Sequence, residues 1–203
     1  MVLAVAAGVP LPGRASGEGQ ASSTLYLVYD PKRCQACGTC MMACSTAHHG
    51  VSNPSLARLQ LWLAPFGTYP NDLSFVVCQQ CVVAECLAIC PSGALHVDER
   101  AGGVRRVDPE RCVGCGACVS ACRHEPSRMG WDPGAGQATK CDLCAAAAHW
   151  DRGDAELPSP ACVALCPLGA LAIVTEPPHQ ERSDGYEVKL RGKTWRALGY
   201  DGS

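Results

Sequence analysis

Sixteen cysteines stand in this 203-residue chain, and every one of them belongs to one of four spaced groups. Cys34, Cys37, Cys40 and Cys44 follow a C-x2-C-x2-C-x3-C spacing, and Cys112, Cys115, Cys118 and Cys122 repeat it. Two further groups open with C-x2-C and close with C-x3-C before a proline. They are Cys78, Cys81, Cys86 and Cys90 before Pro91, and Cys141, Cys144, Cys162 and Cys166 before Pro167. Three thiolates two residues apart let a tight loop wrap three corners of an iron–sulfur cube, and the first spacing is the one bacterial 4Fe-4S proteins use. Gly38 and Gly116 relieve the backbone where it passes close to sulfide. Each proline removes an N–H and turns the chain away from the site. The chemistry implied is one-electron transfer through four 4Fe-4S clusters, with no cysteine left as a nucleophile.

So much cysteine has two other common uses. Structural zinc takes four soft ligands in paired C-x2-C motifs, but complete four-cysteine runs fit cubes better. A disulfide scaffold requires an oxidising compartment. Met1 to Pro12 is mildly apolar, yet no basic residue precedes it, Pro10 and Pro12 interrupt it, and Arg14 stands alone, so it does not read as an export signal. No apolar run approaches the length of a membrane span. The expectation is a cytoplasmic protein without a membrane span. A net charge of -2 gives no sign of a nucleic-acid partner.

Other side chains carry weaker signals. His48 and His49 could hydrogen-bond to cluster sulfur but read first as surface histidines. Lys140, just before Cys141, could stabilise the charge of a reduced cluster, and equally reads as a solvated lysine. Met41 and Met42 read as soft filler around a cluster, and Trp62, Trp131, Trp150 and Trp195 as core or interface residues. No phosphate-binding glycine loop or paired carboxylates suggest catalysis by the chain itself.

The elements that must hold these groups are short. Leu, Val, Ile and Phe make up only about a fifth of the chain, in the range where an aliphatic core becomes doubtful, so metal centres must organise the interior. The chain is repetitive. Tyr29-Asp-Pro-Lys-Arg-Cys34 returns 78 residues later as Val107-Asp-Pro-Glu-Arg-Cys112, and Cys90-Pro-Ser-Gly-Ala-Leu95 returns 76 residues later as Cys166-Pro-Leu-Gly-Ala-Leu171. Strands are expected at Leu25–Tyr29, Leu59–Leu63, Phe75–Val77, Ala94–Val97 and Leu171–Val174. Short helices are expected at Thr39–Ala47, Ala117–Arg123 and Ala145–Trp150. The 17 residues from Ala145 to Ala161 read as an insertion between two ligands. Residues 1–24 read as an N-terminal tail and 175–203 as a C-terminal partner-binding tail with Tyr186, Val188, Leu190, Trp195 and Leu198 as apolar anchors.

Four motifs in this order, with Cys-Pro closing the second and fourth, resemble the four-cluster iron–sulfur subunits of the dimethyl-sulfoxide-reductase electron-transfer type over residues 25–174. The stretch Cys44-Ser-Thr-Ala-His48-His49-Gly50-Val-Ser-Asn53-Pro54-Ser-Leu-Ala-Arg58-Leu is similar to ferredoxin-type subunits accompanying tungsten aldehyde oxidoreductases and benzoyl-CoA reductases, and also to carriers serving carbon monoxide dehydrogenases and hydrogenases. The chain departs from the family in its terse second motif, with four residues between Cys81 and Cys86. The resemblance implies an α+β fold of two ferredoxin-like modules related by a pseudo-twofold axis, one built from motifs 34–44 and 141–166, the other from motifs 78–90 and 112–122.

It further implies crossed ligation, in which the last cysteine of each motif serves a neighbouring cluster. Cluster 1 takes Cys34, Cys37, Cys40 and Cys166, and cluster 2 takes Cys44, Cys141, Cys144 and Cys162. Cluster 3 takes Cys78, Cys81, Cys86 and Cys122, and cluster 4 takes Cys90, Cys112, Cys115 and Cys118. The implied function is non-catalytic: electron relay to or from a tungsten- or molybdenum-pterin catalytic subunit, with a second redox partner at the other end. The alternatives are a free polyferredoxin, a hydrogenase- or carbon monoxide dehydrogenase-linked carrier, and, further off, a zinc-binding interaction module.

Overall fold

Hydrogen bonding between the two ends of the cysteine-rich region closes the chain on itself. The computed structural model describes residues 22–69, 71–151, 159–181 and 183–190. Strand β1 (Tyr26–Tyr29) pairs antiparallel with β8 (Leu171–Val174), Tyr26 opposite Val174 and Tyr29 opposite Leu171. The remaining strands are local antiparallel pairs: β2 (Leu59–Leu63) with β3 (Leu73–Val77), β4 (Leu95–Asp98) with β5 (Val104–Val107), and β6 (Gly130–Asp132) with β7 (Gln137–Thr139). Helices are α1 (Thr39–His49), α2 (Glu85–Ala88), α3 (Ala117–Ser120) and α4 (Ala161–Ala164). Two-stranded ribbons and one-turn helices are marginal in water by themselves, so packing around the cysteines must hold them.

The largest buried cluster mixes Leu25, Leu27, Tyr29, Leu59, Phe75, Val77, Val104, Leu143 and Leu171 with Cys40, Cys44, Cys141 and Cys162. A second gathers Leu95, Cys118, Met129 and Ala138, with Cys86, Cys90, Cys112 and Cys122 against it. Every described apolar core is thus partly sulfur, except one. There Tyr26 and Val28, on the other face of β1, are covered by Tyr186 and Val188.

That last contact corrects the reading of the C-terminal segment as turned wholly toward a partner. Tyr186 is buried within the chain and donates its hydroxyl to the Gln79 carbonyl at 2.5 Å. Tyr29 Oη donates to Glu187 at 2.6 Å, the Val188 N–H donates to the Tyr29 carbonyl at 2.9 Å, and the Leu190 N–H donates to Asp30 at 3.1 Å. Trp195 and Leu198 lie outside the described residues. At the other end, Thr24 N–H donates to the Gly102 carbonyl at 2.9 Å, so residues 22–24 dock on the β4–β5 turn rather than trailing free.

Expected strands at Leu59–Leu63 and Leu171–Val174 form within those bounds, and the others differ by one or two residues. Strands β5, β6 and β7 and helices α2 and α4 had no clear sequence signal. No helix forms at Ala145–Trp150. Six residues give little return for the nucleation cost, and local turns tie the segment down instead, with the His149 N–H donating to the Ala47 carbonyl at 2.9 Å. Among the described residues no helix is long and apolar enough to cross a membrane.

Candidate iron–sulfur centres

Each motif shapes its loop with the same backbone device. The residue just before the second cysteine has positive φ in all four: Ala36 at 57°, Gln80 at 49°, Gly114 at 68° and Leu143 at 53°. Such a residue breaks the local ladder and aims successive N–H groups inward, toward where anionic sulfur sits. Only Gly114 does so without steric cost. Gly38 and Gly116, at φ 74° and 70°, then start α1 and α3, which accounts for glycine at both positions.

The last cysteine of each motif shares a second feature. Its Sγ accepts a backbone N–H from the chain just beyond: Cys44 from Arg58 at 3.3 Å, Cys90 from Leu95 at 3.4 Å, Cys122 from Arg128 at 3.2 Å and Cys166 from Ala170 at 3.2 Å. Cys44 lies inside α1, and Cys122 lies beyond the end of α3.

The groups that face one another are not the sequential motifs. Cys34, Cys37, Cys40 and Cys166 line one apolar cavity with Tyr29, Leu61, Phe75 and Leu171. Cys162 is influenced most by the sulfurs of Cys141, Cys144 and Cys44. Among sulfurs, Cys86 feels Cys78, Cys122 and Cys81, and Cys118 feels Cys90, Cys112 and Cys115. Between groups, Cys40 neighbours Cys162 and Cys78 neighbours Cys141, while Cys86, Cys90, Cys112 and Cys122 pack in one cluster. Each group thus adjoins the next, the first the second, the second the third and the third the fourth. Cys37 and Cys115, one in each end group, are the exposed cysteines.

None of the sixteen is in a disulfide. Burial pushes the Cys40 and Cys86 thiols up to about 12 and those of Cys81 and Cys144 up to about 11. Cys141 and Cys162 are also raised well above the ordinary thiol value, by burial and then by neighbouring sulfurs. Cys37 goes the other way, lowered by its hydrogen bond with Thr39 at 3.2 Å. Thiols this buried ionise only when a cation takes the proton's place, so loading would release protons and contribute to folding. The donor set fits iron–sulfur cubes: four all-sulfur groups, with N–H donors aimed at sulfur. Among the described residues no three His, Cys, Asp or Glu side chains converge on a single-ion position.

Polar residues surround the inner groups, and the motifs did not single out Asp142, His124 or Gln80. Asp142 is buried, with its carboxylate 2.9 Å from Arg58 Nη1 and 3.3 Å from His48 Nε2, and it accepts the Cys144 N–H at 3.1 Å. Burial would raise its pKa, but the His48 hydrogen bond and the Arg58 charge outweigh that and hold it well below the usual carboxylate range. His48 is thus an interior residue, correcting the surface reading; His49 is exposed. His124 Nε2 lies 3.1 Å from Cys81 Sγ. Gln80 donates to the Cys141 carbonyl at 2.9 Å and accepts the Arg105 N–H at 2.8 Å. Lys140 is also buried, not solvated. Met41 packs on the main core while Met42 is exposed. Trp62 and Trp131 are exposed rather than core, and Trp150 is half-buried, donating to the Ser159 carbonyl at 2.9 Å. The signal for Lys140 and Asp142 was their adjacency to Cys141; His124 and Gln80 had none beyond nearness to a cysteine.

Comparisons with known proteins agree with this chemistry. A family model described as a 4Fe-4S dicluster domain matches residues 73–176. The thiosulfate reductase electron transfer subunit PhsB of Salmonella typhi is 35% identical over 71% of this chain and 72% of its own length. The polyferredoxin-like subunit of an aliphatic sulfonate oxidoreductase from Pyrococcus furiosus is 33% identical over 74% of this chain and 78% of its own. The beta subunit of NADH-dependent phenylglyoxylate dehydrogenase from Aromatoleum evansii is 33% identical over 77% of this chain, which spans only 31% of that longer relative. With its cysteine groups, its loop geometry and these likenesses in agreement, the chain belongs to the 4Fe-4S dicluster domain family of ferredoxin-like iron–sulfur proteins.

Proposed function

We propose that this chain is a non-catalytic electron-transfer subunit that relays single electrons through four 4Fe-4S clusters, between a tungsten- or molybdenum-pterin catalytic subunit and a second redox partner. The observation that carries the relay is the succession of adjoining all-cysteine groups, with Cys44, Cys141, Cys144 and Cys162 all buried and Cys37 and Cys115 exposed. The ligand sets proposed are Cys34, Cys37, Cys40 and Cys166; Cys44, Cys141, Cys144 and Cys162; Cys78, Cys81, Cys86 and Cys122; and Cys90, Cys112, Cys115 and Cys118. The clusters, when bound, supply one-electron chemistry at potentials set by hydrogen bonds, charge and exposure. The chain's own residues hold them in sequence, exclude water from the one at Cys44, Cys141, Cys144 and Cys162, and present the outer two to partners.

Two ferredoxin-like modules related by a pseudo-twofold axis are part of this reading. Matched contacts support it. Asp30 N–H donates to the Ala170 carbonyl and Asp108 N–H to the Ala94 carbonyl, each at 2.8 Å. In each half a β-ribbon closes beside a Cys-Pro turn, β1–β8 in one and β4–β5 in the other. The subunit role is supported by relatives whose names describe subunits of reductases and oxidoreductases. The pterin partner rests on the likeness of the stretch Cys44 to Leu59 noted above. Buried free thiols suit a reducing compartment, and we place the protein in the cytoplasm.

The test is anaerobic purification of the protein from its native host, followed by iron, sulfide and zinc analysis and identification of what copurifies. About sixteen irons with matching labile sulfide, and a large pterin-containing subunit in the same complex, are expected. Stoichiometric zinc without sulfide refutes the relay. Full iron with no catalytic subunit leaves a free polyferredoxin and refutes the partner.

A further inference from the structure

Lys140 has only 2% of its surface exposed, and its Nζ donates to the carbonyl of Cys141 at 2.8 Å and to the carbonyl of Arg105. Among the described residues it makes no salt bridge with a carboxylate. Its charge acts on Asp142, which is already held by Arg58 and His48. An ammonium taken out of water is costly unless something negative lies close by. What lies close by is sulfur. Lys140 precedes Cys141, whose thiol neighbours Cys44 and Cys78, and the lysine's charge also acts on Cys86 of the next group.

The seam between the two inner groups is therefore built around a buried cation. Gln80 and Arg105 reinforce it from the other side. The Arg105 guanidinium donates to the carbonyls of Gln80 and Val82, each at 3.3 Å, and so girdles the Cys78–Cys81 loop. A cube held by four thiolates is an anion that gains a further negative charge on reduction, so a fixed cation at the seam favours the reduced state of both neighbours.

We propose that Lys140 is a positioning residue of the relay: its buried ammonium raises the reduction potentials of the two inner clusters, those of Cys44, Cys141, Cys144, Cys162 and of Cys78, Cys81, Cys86, Cys122. This rests on the four-cluster reading above. Raising the inner pair keeps an electron from being stranded on an outer cluster, where solvent already stabilises the reduced state. A purely structural lysine would only brace β5 against the fourth motif.

The test compares the loaded protein with Lys140→Met, Lys140→Gln and Lys140→Arg by potentiometric titration followed by electron paramagnetic resonance, with iron and sulfide measured on each sample. In Lys140→Met, two of the four centres are expected to become at least tenfold harder to reduce, a negative shift of about 59 mV for a one-electron couple. The other two stay put, and Lys140→Arg restores the parent values. Unchanged potentials in Lys140→Met at full iron overturn the proposal. If Lys140→Met loses iron, Lys140→Gln decides, since it keeps donors for the two carbonyls without the charge. Parent potentials there, or loss of its clusters too, overturn the proposal in favour of a brace or an assembly role. Zinc without sulfide in the parent protein would instead refute the relay itself, and the metal analysis reports that separately.

Discussion

Nε2 of His48, on α1, lies 3.3 Å from Oδ1 of Asp142, which follows Cys141 in the fourth motif nearly a hundred residues later. Arg58 completes the contact at 2.9 Å and donates its own N–H to Cys44 Sγ. One buried carboxylate thus ties together both chain segments of the group Cys44, Cys141, Cys144 and Cys162. Asp142→Asn is expected to destabilise the loaded protein by about 3 kcal/mol or more, as when one partner is removed from a buried ion pair. Denaturant unfolding with iron followed by absorbance checks it. The carboxyl pKa is depressed in the folded state, so its contribution is fully present above the unfolded value of about 3.9 and lost as pH falls below it. The gap between variant and parent should be constant from pH 7 to about 5 and shrink only in stronger acid.

The docked C-terminal segment offers a second measurement. Tyr186→Phe removes the hydroxyl that donates to Gln79 and accepts from Gln180 at 2.9 Å, which leaves a buried carbonyl unpaired and should cost about 1–3 kcal/mol. Iron content should stay full. Burial raises the Tyr186 pKa, and burial followed by the Glu187 hydrogen bond raises that of Tyr29. Their neutral forms therefore stabilise the fold fully below the unfolded value of about 10, and that stability declines as pH rises above it. The difference between parent and Tyr186→Phe should narrow between pH 9 and 11. No destabilisation in the variant would mean the segment leaves the surface in solution.

Crossed ligation makes a sharp genetic prediction. Cys44→Ala should disturb the centre shared with Cys141, Cys144 and Cys162 and spare the one shared by Cys34, Cys37, Cys40 and Cys166. Spectra of the variant should lose one centre and keep three. Loss of the centre nearest the exposed Cys37 instead would return Cys44 to its own motif.

Equivalent loop positions should differ in tolerance. A side chain at Gly114, at φ 68°, would run into the carbonyl of Gly136, so Gly114→Ala should prevent loading of the Cys112 group. Ala36→Gly, at φ 57°, should be tolerated and relieve about 1 kcal/mol of left-handed strain, less the extra freedom glycine gains when unfolded. Iron occupancy and melting temperature of the two variants check this.

Stripping the metal should abolish the fold. Described cores mix thiols with few aliphatics, and their short ribbons lack independent stability. Chelation under anaerobic reducing conditions is expected to remove the cooperative melt along with the iron. A native-like circular dichroism spectrum and a cooperative transition in the stripped protein would show that the aliphatic contacts suffice.

The cysteine spacing was enough to read the chemistry and the repeat, and its flanks were enough to place α1, α3, β1 and β8, because thiolate chemistry and loop closure are local. Gly38 and Gly116 were legible for the same reason: a three-residue loop around a cube needs positive φ at a fixed place. Ala36, Gln80 and Leu143 adopt that region without being glycine, since the closed loop imposes it, and no residue preference announces that. Only the tertiary structure decided that Lys140 and His48 are interior and that Tyr186 folds back on β1. Each depends on a partner far along the chain: Arg105 for Lys140, Asp142 for His48, Gln79 for Tyr186. A charged or aromatic side chain reads the same on a surface and in a seam, and burial belongs to the packed molecule rather than to the residue.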